Sequence, residues 1–168
     1  MIVATTSIIE TRGAMRLAVA AATLMAASAL ISAYWGAGGT ALLDTVGGSV
    51  ARWAREGGLA VRLGMALIVV VKLVAAWLPL ASVRPCRVSV RRLAWLEAAI
   101  LIAYGGTLTA AGVAVQAGLV AAGHDADRKA LAWHAYLWDP WFLVTGVLVL
   151  AALCTGRAVR GDRARSDR

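Results

Sequence analysis

The chain is poor in the side chains that most reactions need. Its 168 residues include two cysteines, Cys86 and Cys154, and two histidines, His124 and His134. The cysteines lack the Cys-x-x-Cys spacing of a redox pair or a zinc site. Both fall beside segments that the charge pattern assigns to the cytoplasmic face, where thiols stay reduced. They read as two unpaired thiols, and a redox pair at that face is the alternative. There is no Gly-x-Ser-x-Gly turn, metal-binding helix motif, phosphate loop or pair of carboxylates. Enzymatic chemistry is therefore not the expectation, and no cofactor is expected. A metal site at His134 would have to draw on His124, Asp125 and Asp127, whose spacing matches no familiar site. A haem held by both histidines would need them at membrane depth on facing helices, and neither lies there.

Acidic residues are scarce too. Nine Asp and Glu against seventeen Lys and Arg leave a net charge of +8, with a pI of about 10.7. On a soluble chain this balance would suggest nucleic acid. Here the arginines cluster between and after long apolar runs, and no basic patch interleaves with exposed aromatics, so nucleic acid is not an expected partner. What the chain has in excess is hydrophobic residues, 61% of the total, against about 45–50% in an ordinary soluble domain. They fall in runs long enough to cross a hydrocarbon core about 30 Å thick.

Four spans are expected, at about 15–35, 59–81, 93–122 and 140–155. Residues 1–14 read as a flexible tail, or as residues ahead of a start at Met15; 156–168 read as a basic disordered tail. A cleaved signal peptide, with "ISA" near its end, is the alternative for the first run. The loop 36–58 is edged by glycines and holds a short helix suited to the membrane surface, anchored by Trp53. One side of the membrane collects Arg12, Arg16, Arg84, Arg87, Arg91, Arg92 and the five arginines of the tail. The other collects Arg52, Arg55, Arg62, Arg128 and Lys129. The first side should be cytoplasmic. The fold class is all-α: an integral membrane four-helix bundle over residues 15–155, with both termini cytoplasmic, in the bacterial inner membrane.

The stretch "WHAYLWDPWF", Trp133–Phe142, precedes the last apolar run. Asp139-Pro140 is a helix-start signal. Aspartate at the N-cap accepts hydrogen bonds from free N–H groups, and proline at the first helical position loses none. Trp133, Tyr136, Trp138 and Trp141 would then form an aromatic belt at the outer interface, joined by Tyr34 and Trp35.

Lys72 is the sharpest functional signal. A charge near the middle of a span costs about 2.5–3.5 kcal/mol on insertion scales, so it should face the interior and find an acceptor. Glu97 is the expected partner, with Tyr104 closer to its depth and Asp44 and Asp139 approaching from outside. The third span carries a face of small residues that includes Gly105 and Gly112. Such a face suits close helix packing, in this chain or between chains.

"SAYWGAGG" at Ser32–Gly39 and "WHAYLWDPWFLVTG" at Trp133–Gly146 together resemble a bacterial membrane family known as domain of unknown function 3995. The resemblance covers about Met15 to Thr155. It implies four spans, a Tyr-Trp followed by Gly-Gly after the first, and a Trp-x-Pro motif opening the last. Family members often carry histidine where this chain has Ser32. No reaction comes with the resemblance.

Two functional expectations follow. In the first, Lys72, Tyr34, Trp35, Trp138, Asp139, Glu97 and Tyr104 contribute to an outward-facing pocket that binds, or helps to move, a small amphipathic or anionic molecule. In the second, the chain is a structural subunit that assembles through the small-residue face of the third span, as a homo-oligomer or with a membrane partner. The lipid bilayer is a partner in both.

Overall fold

In a computed structural model the described residues are 2–84, 86–123 and 126–166, with the side chains of 2–10, 49 and 157–166 outside the description. The chain runs through α1 (Ile2–Gly36), α2 (Leu43–Val46), α3 (Gly48–Glu56), α4 (Leu59–Ser82), α5 (Val88–Gln116) and α6 (Arg128–Trp133). A single π-helical turn (His134–Trp138) then leads into α7 (Asp139–Ser166). No strand occurs among the described residues. Among the described residues, four helices are long and apolar enough to cross a membrane: Thr11–Gly36, Leu59–Ser82, Val88–Gln116 and Arg128–Gly156.

The ends of these helices differ from the sequence expectation for local reasons. The third span begins at Val88 and stops at Gln116 rather than continuing to 122. Gly118, at φ +73°, provides the left-handed residue that ends it. The Gly118 N–H reaches the Val115 carbonyl, and the Leu119 N–H reaches that of Ala114. That is the Schellman closure.

The fourth span starts much earlier than Pro140. Its N-cap is Asp127, whose side chain accepts from the Ala130 N–H at 3.0 Å. Asp139 is helical (φ −77°, ψ −42°) and sits inside a continuous helix, so it does not cap. A proline within a helix removes one ladder bond and crowds the preceding turn. The wider π turn just before Pro140 accommodates that defect. At the chain ends, the helical backbone of α1 begins at Ile2 and that of α7 reaches Ser166, where the sequence suggested tails.

The spans alternate in direction, and each packs on its neighbours: α1 on α4 and α7, α5 on α7 and α4. Between α5 and α7 the approach is close because it is made at glycines. A side chain at Gly105 would run into the Leu143 backbone and the Asp139 carbonyl. One at Gly112 would meet Ala135, and one at Gly146 would meet Ile102. In lipid, where apolar burial adds little, close backbone approach supplies the attraction. The small-residue face expected to serve assembly is thus taken up within the chain.

Toward the termini the interior is a close-packed cluster of Ala21, Leu78, Ala94, Ala98, Val149 and Leu153. Toward the loops a second cluster joins Trp35 to Leu43, Ala51, Ala54, Val61 and Met65, seating α2 and α3 on the ends of α1 and α4. Leu59, Leu63, Leu67 and Val71 of α4 and Leu93, Leu96 and Ile100 of α5 face outward. That outward apolar surface suits contact with lipid tails.

Candidate functional site

Between these two clusters the interior turns polar. Ser28 and Ser32 are four residues apart and share one face of α1; both are buried. Lys72 of α4 reaches across to that face. Its Nζ donates to Ser28 Oγ and Ser32 Oγ, each at 2.8 Å, and to the Ser28 carbonyl at 3.3 Å. The Phe142 ring of α7 lies 5.7 Å from the ammonium, within cation–π range. These partners of the ammonium are all neutral, and no ion pair to Lys72 is found among the described residues.

Lys72 forms part of the wall of a cavity of about 190 Å³. Ser28, Ile31 and Trp35 of α1 line it, with Tyr104 of α5 and Asp139 and Phe142 of α7. His134 and Trp138 contribute from the π turn. Val46 and Val50, from α2 and α3, close it on the loop side. Trp35 and Trp138 meet edge to face, with centroids 5.9 Å apart. Tyr104 meets Phe142 in the same way at 5.8 Å. The cavity therefore has an aromatic lining with an ammonium and a carboxylate set into it.

The loop-side roof is tied to the π turn by two hydrogen bonds. Trp138 Nε1 donates to Thr45 Oγ1 at 3.2 Å. His134 Nε2 lies 3.1 Å from the Val46 carbonyl, while its Nδ1 lies 3.1 Å from Asp139 Oδ1. Trp35 Nε1 donates to the Ala41 carbonyl at 2.8 Å and fixes the turn that leads into the roof.

The expected site residues separate into two groups. Lys72, Trp35, Trp138, Asp139 and Tyr104 come together at the cavity. Tyr34 and Glu97 are not among the residues that line it. The Tyr34 hydroxyl accepts from the Ala41 N–H at 3.3 Å, and its ring covers Gly39 so closely that no side chain would fit there. Gly38, at φ +96°, completes the turn. This gives the Tyr-Trp…Gly-Gly pattern a structural role.

Glu97 was the expected partner of Lys72, and that pairing is corrected. Lys72 is held by the two serines. Glu97 is buried, and neither of its carboxyl oxygens has a hydrogen-bond partner among the described residues. Asp44 does not approach the lysine either; it pairs with Arg55 of α3. The aromatic belt is also reduced. Trp133 and Tyr136 are exposed, but Trp138 points inward and Trp141 Nε1 donates to the Leu24 carbonyl of α1 at 3.1 Å. His124 and Asp125, considered as metal ligands, lie outside the described residues.

The family model described as Protein of unknown function (DUF3995) matches residues 24–149. The chain belongs to this family. The matched region takes in every residue named above as lining the cavity. No curated protein and no solved structure matches the chain.

Sequence reasoning did not single out Ser28 or Phe142, noted Ser32 only as a position where family members often carry histidine, and left His134 without a role. The serine pair was detectable: two hydroxyls four residues apart in an apolar run mark one polar face. The role of His134 was not, because it depends on a roof segment 88 residues away in sequence.

Proposed function

We propose that this multi-pass membrane protein binds a small amphipathic acid in the cavity. The acid group would lie against Lys72, and the apolar part against Trp35, Trp138 and Phe142. The observation that carries this reading is that the Lys72 ammonium is held by neutral serine oxygens, with no ion pair to it among the described residues. Serine oxygens solvate the ammonium but leave its charge in place. Coulomb attraction grows as the dielectric falls, so an anion entering the cavity gains more there than in water. A tether between α1 and α4 needs no ammonium; serine-to-backbone contacts would serve without the cost of burying a charge. An apolar cavity of about 150 Å³ is known to hold benzene, so 190 Å³ suits an acid of ring or short-chain size.

The distribution of arginines supports an orientation with both termini in the cytoplasm of a bacterial cell and the chain in its inner membrane. The cavity then lies toward the outer face, under the roof formed by α2 and α3. From that position the chain would bind the acid or help to move it across the outer leaflet.

Fluorobenzoate is a suitable probe, followed by fluorine NMR with the protein in lipid nanodiscs and empty discs as the control. Saturable binding is expected, weakened at least tenfold in Lys72→Met, with neutral fluorobenzamide binding more weakly than the acid. Equal binding of acid and amide, or equal binding by Lys72→Met, would contradict the reading.

A further inference from the structure

His134 occupies an unusual position in hydrogen-bonding terms. A neutral imidazole has one donor nitrogen and one acceptor nitrogen. Here both ring nitrogens face oxygens that accept: Nε2 faces the Val46 carbonyl and Nδ1 faces the carboxylate of Asp139, each at 3.1 Å. The Val46 carbonyl can only accept, so Nε2 must carry a hydrogen. The contact at Nδ1 is then favourable in two states. Either the ring is an imidazolium, or Asp139 is protonated and donates to a bare Nδ1. Both states hold one proton more than a neutral histidine beside an ionised aspartate.

We infer that this shared proton is the latch on the cavity roof. Without it, one of the two contacts sets a lone pair against an acceptor. If the ring keeps its hydrogen on Nε2, it repels Asp139. If it moves the hydrogen to Nδ1, it lets go of Val46 and the roof. Loss of the proton also adds one negative charge to the cavity. A raised pH therefore loosens the roof and disfavours an anion beneath it. What the latch guards rests on the proposed binding of an acid; the latch itself does not.

The other charged groups around the π turn leave this proton to His134 and Asp139. Asp139 comes from α7 and is buried, with 5% of its side chain exposed. From α5 the facing group is Tyr104, and from α4 across the cavity it is Lys72, which is already bonded to the serines. On α2, Asp44 is engaged with Arg55. On α6, Arg128 and Lys129 are exposed to solvent, and Asp127 caps the helix.

The test needs no ligand, so its failure and the failure of the binding proposal are separate results. Amide hydrogen exchange over residues 43–50 is followed against pH in lipid nanodiscs, corrected for intrinsic exchange. The nitrogen NMR signal of His134 is followed in parallel, in a His124→Gln background that leaves one histidine. Protection of the roof should fall about tenfold or more as pH rises, which is the effect of losing one charge-assisted hydrogen bond. The His134 signal should move over the same pH interval. Asp139→Asn gives the sharper result. Its side-chain amide can donate to a bare Nδ1 while Nε2–H keeps Val46, so the roof should stay protected across the range. Protection independent of pH in the wild type, or an unchanged pH response in Asp139→Asn, would overturn the latch. If Asp139→Asn fails to fold, the wild-type titration decides alone.

Discussion

The same four helices are packed in two ways along their length. Toward the termini, Ala21, Ala94 and Ala98 let the helices close on Leu78, Val149 and Leu153. Toward the loops, α1 presents Ser28 and Ser32 instead of alanines, α4 presents Lys72, and α7 presents Asp139; a cavity of about 190 Å³ remains among them. The terminal half closes its helices mainly with apolar residues, with Ser82 and Glu97 the polar side chains buried there. Retaining charge and empty volume in the other half goes against both packing density and the cost of burying charge in lipid. Departures from local packing rules concentrate at functional sites. The contrast supports the proposal that binding belongs to the loop half, with stability coming from the terminal half and the glycine contacts.

The largest expected effect falls on those contacts. Gly105→Leu would force α5 away from the Leu143 backbone and should lower unfolding stability by about 1–3 kcal/mol or more. Thermal unfolding in mild detergent reads this. Gly123→Ala, where nothing lies nearby, should change little. Next comes the start of the fourth span. Asp127→Ala removes the cap on Ala130 and should cost about 1 kcal/mol. If Asp139 were the cap, the loss would follow Asp139→Ala instead.

The smallest expected change in stability is at Lys72. Because the partners of Lys72 are neutral serine oxygens, its removal leaves no unpaired charge behind and relieves the cost of burying one. Lys72→Met should therefore shift stability by no more than about 1 kcal/mol while it weakens acid binding at least tenfold. A loss of about 3 kcal/mol would mark the lysine as a helix tether and bring the two halves back to one purpose.

Much of this was legible in the sequence. The four spans follow from run length and hydropathy, and the depth of Lys72 follows from counting residues along its span. The partner of Lys72 did not follow, because charge pointed to Glu97 while two neutral hydroxyls on a neighbouring helix were closer. The start of the last span was misread because Asp139-Pro140 is a sound local signal for a helix start. A π turn ahead of Pro140 let the helix run through it, and the polar stretch after Asp127 became helix rather than loop. The face of Gly105 and Gly112 was readable as a close-packing surface, but its partner was not, since α7 and a second chain would impose the same pattern. The roof over the cavity depends on contacts between distant segments, and sequence periodicity carries no trace of those.

The most direct test of the central claim is native mass spectrometry of the protein released from its own membranes, wild type beside Lys72→Met. The account predicts one small acid bound at one per chain in the wild type and absent from a folded Lys72→Met. A wild-type chain that carries no such molecule, or a Lys72→Met chain that retains it, would contradict the account.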